Sequence, residues 1–222
     1  MTQSCGGAHA AGTVCDACDG EQQRRERGYA ERQAAQNRDD WLCAIGVPLK
    51  YHHASFATLA ATPAVDAARK FYELEKWRRG PDARALVLTG PTGTGKTSAA
   101  CALVMELLPY LRRHQRFALA SVLGRRLLDY HQADEAMREA TTSSLLVLDD
   151  LNLGGNARAL AMIEEVIIAR EAEGRALVVT SNLTPQQLRA VFSDRVVDRL
   201  RAWGDTVACT GPSFRTHSGA TR

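Results

Sequence analysis

One stretch, Gly90-Pro91-Thr92-Gly93-Thr94-Gly95-Lys96-Thr97, restricts what this chain can fold into more than any other part of it. It has the G-x-x-x-x-G-K-[ST] spacing of a phosphate loop and directly follows the apolar run Ala85-Leu86-Val87-Leu88. The residues after it, Ser98 to Leu108, read as a helix, so the order is strand, glycine-rich loop, helix. Glycines at 90, 93 and 95 allow the backbone to turn its N–H groups inward at phosphate oxygens, and the helix adds the positive end of its dipole. Residues Gly90, Pro91, Thr92, Gly93, Thr94, Gly95, Lys96 and Thr97 are therefore the expected binding site of a nucleotide triphosphate. In it Lys96 reaches the β- and γ-phosphates and the Thr97 hydroxyl ligates Mg²⁺.

Beyond Gly80 short apolar runs alternate with helical segments, the pattern of a parallel sheet covered on both faces. The runs are Ala85 to Thr89, Phe117 to Ala120, Leu145 to Leu148, Ala176 to Thr180 and Thr206 to Cys209, which predicts five strands. Thr62-Pro63 is expected to start a helix running to Arg79, with Thr at the N-cap and Pro at the first helical position. Residues 21 to about 42 read as a charged, Arg-rich, solvated helix, and residues 1 to about 20 have no apolar periodicity. The expected organisation is a Cys-rich N-terminal region and linker over 1–60, a nucleotide-binding domain over 61–215 and a flexible tail over 216–222. No apolar run approaches the roughly 20 residues that cross a bilayer, and the N-terminus lacks a charged-then-apolar leader. The expectation is a cytoplasmic protein with no membrane partner, whose six cysteines are thiols or metal ligands rather than disulfides. The net charge of +3 permits contact with nucleic acid without demanding it.

Hydrolysis needs a second acidic site near Mg²⁺, and Leu145-Leu146-Val147-Leu148-Asp149-Asp150 supplies one at a strand end. Asp149 is expected to hold Mg²⁺ through water and Asp150 to polarise the attacking water. The run Ala176 to Thr180 ends in Ser181-Asn182, whose amide either senses the γ-phosphate or lytic water, or caps the helix starting near Thr184-Pro185. Arg195 and Arg199 lie four apart, on one face of a helix, where they either pair locally with Asp194 and Asp198 or reach a neighbour's nucleotide.

Together, Gly90 to Thr97, Leu145 to Asp150, Thr180-Ser181-Asn182-Leu183, Arg195-Val196-Val197-Asp198-Arg199-Leu200 and the ending Gly211-Pro212-Ser213-Phe214-Arg215 resemble the AAA+ ATPases of bacterial and phage replicative helicase loaders. This is the DnaC-like group, with the IstB-type transposition helpers as close relatives. The resemblance implies an α/β AAA+ P-loop NTPase with a five-stranded, mainly parallel sheet, helices on both faces and a small Cys-rich helical N-terminal region. It implies that the sensor strand lies between the two Walker strands, that Asn182 is sensor 1, and that Arg199 is an arginine finger acting in trans with Arg195 as a second basic contact. Mg²⁺-dependent ATP hydrolysis, self-assembly into an oligomer, a hexameric replicative helicase as partner and contact with single-stranded DNA follow from the same likeness. The stretch Ile45-Gly46-Val47-Pro48-Leu49-Lys50-Tyr51, followed by Ala54-Ser55-Phe56, is similar to a segment of loader-type proteins and favours that reading over the transposition helper. A non-hydrolysing adaptor is the remaining alternative. The chain shows no helical lid after Leu200 and no candidate for a sensor 2 arginine.

Cys5, His9, Cys15 and Cys18 give C-x₃-H-x₅-C-x₂-C, a ligand set that suits tetrahedral Zn²⁺. Cys101 and Cys209 sit in apolar runs and read as small core residues. Arg125 and Arg126, and the cluster Arg112-Arg113-His114-Arg116, are the basic candidates for a DNA backbone.

Overall fold

Apolar runs of four or five residues, too short for helices and too uniformly apolar for a half-wet sheet, become the centre of a parallel sheet. The computed structural model describes residues 36–76, 78, 83–110, 115–152 and 155–214. The chain divides after Ala44 into two compact units. In the first, residues 36–44 are helical (α1), with Gln36 Nε2 donating to Asp40 Oδ1 at 3.0 Å. The second holds a five-stranded sheet of β1 (Ala85–Thr89), β2 (Gln115–Leu119), β3 (Leu145–Asp149), β4 (Ala176–Ser181) and β5 (Gly204–Ala208) in the order β2-β3-β4-β1-β5, all parallel. Every residue of β1, β3 and β4 is buried, which accounts for their unbroken apolar character.

The connecting helices are α2 (Pro63–Glu75), α3 (Lys96–Leu107), α4 (Ala120–Leu128), α5 (Ala133–Thr142), α6 (Ala157–Ala172), α7 (Pro185–Val191) and α8 (Asp194–Trp203). Helices α4, α5, α6, α7 and α8 cover one face of the sheet, closing a core with Val87, Leu146, Leu148, Leu177 and Val179. Helices α2 and α3 pack against each other and against β1 and β4. Residues Ala99 to Val104 of α3 are all buried, so the run of small side chains there lets the helix lie close to its neighbours. Cys101 and Cys209 are both fully buried, as core cysteines. Among the described residues no helix is long and apolar enough to cross a membrane.

Local signals in the chain set the helix starts. The Thr62 hydroxyl accepts from the Val65 N–H at 3.2 Å with Pro63 at the first position, and Thr184 and Gln187 form a reciprocal capping box on α7. Helix α2 stops at Glu75, short of the Arg79 expected from the sequence. The larger correction concerns residues 45–60, grouped above with the N-terminal region. They belong to the second unit, because the Phe117 N–H donates to Ile45 O at 2.7 Å and Val47 and His52 are buried, with the imidazole Nε2 of His52 donating to Val47 O at 3.1 Å. Residues Cys5, His9, Cys15 and Cys18 lie outside the described residues, as do Arg112, Arg113 and His114. Among the described residues no group of three or more metal-ligating side chains occurs.

Candidate active site

Ligand sites in such sheets lie outside the carboxyl ends of the strands, and β1, β3 and β4 deliver three chemistries there side by side. β1 runs into the phosphate loop, β3 ends at Asp149-Asp150, and β4, between them, ends at Ser181-Asn182. Gly90, Gly93 and Gly95 have φ of 130°, 85° and 86°, conformations that side-chain-bearing residues rarely adopt. A Cβ at Gly90 would also overlap the Cys209 carbonyl oxygen. Lys96 is buried, and its Nζ donates to Gly90 O at 2.7 Å and to Pro91 O at 2.6 Å, which holds the ammonium inside the loop where phosphate oxygens would replace these carbonyls.

The Thr97 hydroxyl donates to Asp149 Oδ1 at 2.8 Å, so the two expected Mg²⁺ ligands already touch. The Thr180 hydroxyl donates to the same oxygen at 2.6 Å and accepts from the Asp150 N–H at 2.9 Å. Thr180 thus holds the Asp149 carboxylate and the backbone of Asp150 at once, a role not expected for it from the sequence. Its position two residues before Asn182 on the sensor strand was the available signal. Asp150 is the one non-glycine with positive φ among the described residues, at 53°, and Asn182 Nδ2 donates to its Oδ1 at 2.7 Å. Such a conformation at a strand end is uncommon outside functional sites. The cap of α7 is Thr184 rather than Asn182, so the amide is spent on Asp150 and not on the helix.

These groups line a cleft of about 840 Å³. Pro48, Lys50, Tyr51 and Leu59, from the segment grouped above with the N-terminal region, line it together with Thr62 at the N-cap of α2 and Phe214. None of these is expected at the site from the sequence; Pro48, Lys50, Tyr51 and Phe214 lie in segments that carry the resemblance, whereas Leu59 and Thr62 do not. Hard oxygens of a hydroxyl and a carboxylate beside a loop of inward N–H groups fit a Mg²⁺ nucleotide.

Neither Arg195 nor Arg199 lines this cleft. Arg199 ion-pairs with Glu171 of α6, across helices, and not with Asp194 or Asp198 as a local reading expects. Arg195 is exposed and has no hydrogen bond or ion pair among the described residues. Arg126 pairs with Glu139 at 3.1 Å, which also binds Arg116 at 3.2 Å, whereas Arg125 is exposed.

A phosphate loop and a strand-end acidic pair, with an amide just past the strand between them, fit the AAA+ class of P-loop ATP-binding domains. The chain belongs to the IstB-like ATP binding protein family, whose profile matches residues 47–220. Its fold is shared with the solved structure of DnaI at 23% identity and a TM-score of 0.63, over 75% of this chain and 93% of that one. The DnaC helicase loader matches at 20% identity and a TM-score of 0.61, over 72% of this chain and 99% of that one. The replication initiator DnaA, solved with AMPPCP and single-stranded DNA, matches at 19% identity and a TM-score of 0.59, over 72% of this chain and 50% of its own. No curated protein matches the chain.

Proposed function

We propose that the protein is a Mg²⁺-dependent ATPase that loads or remodels a hexameric replicative DNA helicase. The observation that carries the catalytic part is the shared network Thr97–Asp149–Thr180–Asp150–Asn182, which sets a metal-side carboxylate and a water-side carboxylate beside one phosphate loop. Thr97 and Asp149 would hold Mg²⁺, which would supply charge neutralisation of the triphosphate. Lys96 exchanges its loop carbonyls for the β- and γ-phosphates, Asp150 accepts a proton from the attacking water, and the Asn182 amide holds Asp150 and that water in line.

Arg199 and Arg195 act on a neighbouring subunit's nucleotide, because both lie away from the cleft of their own chain. Arg199 leaves Glu171 to do so, and self-assembly is therefore part of the activity. The loader-like segment over residues 45–56, folded here into the cleft wall, favours a helicase as partner. Residues 1–60 would carry the docking function at their N-terminal end, with Cys5, His9, Cys15 and Cys18 as its zinc ligands. Arg125, exposed on α4, is the better of the two basic candidates for single-stranded DNA, since Arg126 is tied to Glu139. Such contact would be backbone-directed and salt-sensitive.

The transposition-helper reading is favoured by one observation, the family to which the chain belongs. Passing purified hexameric replicative helicase and, separately, a transposase over the immobilised full chain with ATP distinguishes the two. Retention of the helicase is the expected result; retention of the transposase alone would overturn the loader assignment.

A further inference from the structure

The chain does not leave the sheet after β5. The Cys209 N–H donates to Thr89 O at 2.6 Å, past the root of the phosphate loop. Gly211, with φ of 133°, then turns the backbone, and the Phe214 N–H donates to Gly93 O at 2.9 Å. Ser213 occupies the space above Gly93, where an added Cβ would overlap its hydroxyl and lie 2.8 Å from its Cβ. Gly93 stands at a position that the G-x-x-x-x-G-K-[ST] pattern leaves open. In this chain it is held to glycine by the strap crossing it as well as by its own backbone conformation. At Gly95, by contrast, the nearest atom to an added Cβ is 3.8 Å away.

The strap fixes the backbone of Phe214 against the phosphate loop and leaves the ring 50% exposed in the wall of the cleft. The cleft's other aromatic ring, Tyr51, carries the Lys50 ammonium 4.8 Å from its centroid, which takes up one of its faces. Phe214 has no ring or cation contact among the described residues. An apolar ring half in water, on the residue whose own N–H bonds the phosphate loop, stands in the wall of the cleft beside the phosphate site. That is where a flat, weakly polar ligand portion has to lie.

We infer that Phe214 is a nucleoside-packing residue, its ring lying against the base and ribose of the nucleotide whose phosphates Lys96 holds. The assignment rests on the ATPase reading above and adds a specificity element to the same site. The contact comes from a strap bonded to the phosphate loop itself.

Calorimetric titration of the full chain with Mg²⁺-ATP, and separately with inorganic tripolyphosphate, tests it in the parent, Phe214→Leu and Phe214→Ala. Stacking of a base on an aromatic side chain predicts that Ala weakens ATP by about tenfold, with Leu in between. Tripolyphosphate affinity is expected to stay within about twofold, since its partners are the loop N–H groups and Lys96. Melting midpoints without ligand should not move, because the ring is half exposed. An Ala variant that binds ATP as tightly as the parent overturns the assignment alone. So does an equal loss for tripolyphosphate, which would locate the effect in the loop through Ser213 and Gly93. A parent chain that binds no ATP overturns the ATPase reading and this assignment with it.

Discussion

Replacing Asp150 by Asn will leave ATP bound and hydrolysis nearly stopped. Asparagine keeps the size of the side chain and tolerates the left-handed backbone that Asp150 adopts at φ 53°, so the turn after β3 is not disturbed. The backbone N–H still donates to the Thr180 hydroxyl, and that hydroxyl still orients Asp149. What disappears is a carboxylate able to take a proton from water. General-base removal costs roughly 10²- to 10⁴-fold in rate, and this is the expected fall in kcat, with ATP affinity within about threefold of the parent. Hydrolysis surviving within a factor of three would remove Asp150 from the water side of the reaction. Rate and affinity measured on the same preparation separate the two effects.

The second large effect is on the fold. Arg170 of α6 is fully buried, and no carboxylate is its partner among the described residues. Its guanidinium donates instead to Ala140 O at 2.6 Å, to Ser143 Oγ at 3.0 Å and to the carbonyl of Ala176. It thereby ties the end of α5 and the start of β4 to α6. Burial, then the neighbouring cations of Arg175 and Arg78, push its pKa down to about 9, still above neutrality, so the group is charged where the protein works. Its buried Nε has no partner among the described residues, so the charge is tolerable only while the remaining bonds are made. Arg170→Ala removes all three hydrogen bonds and leaves a cavity, for an expected loss of about 3–5 kcal/mol in chemical denaturation. Arg170→Met keeps most of the volume and removes the buried charge, so it should cost less. An Ala variant within about 0.5 kcal/mol of the parent would mean that water replaces the guanidinium at little cost.

Much of this architecture was legible in the chain because it rests on local patterns. The central strands are buried on both faces, and an unbroken apolar run such as Leu145 to Leu148 can hardly be anything else. The edges were harder. β2 begins at Gln115, two residues before the apolar signal, because Gln115 pairs with Leu145 and Arg116 with Leu146 of β3 although neither side chain is apolar. β5 begins at Gly204, where the pairing with Ala85 leaves no room for a Cβ. Neither constraint is visible without the neighbouring strand.

The same division runs through the site. The phosphate loop and Asp149-Asp150 are contiguous motifs and were found. Tyr51, Thr62 and Phe214 reach the cleft from segments distant in sequence, and only the folded chain brings them to it. Arg199 shows the limit of helical spacing as evidence. Asp194 and Asp198 were the near partners on offer, yet the ion pair formed is with Glu171, 28 residues away, because α8 packs on α6.

The proposed ATPase is completed between subunits. Its most direct test is the steady-state rate of ATP hydrolysis per subunit as protein concentration rises, with and without single-stranded DNA, for the parent and for Arg199→Ala. The parent rate is expected to climb with concentration and with DNA, and the variant to bind ATP yet show neither response. A rate per subunit that is flat, indifferent to DNA and the same in both proteins would contradict it.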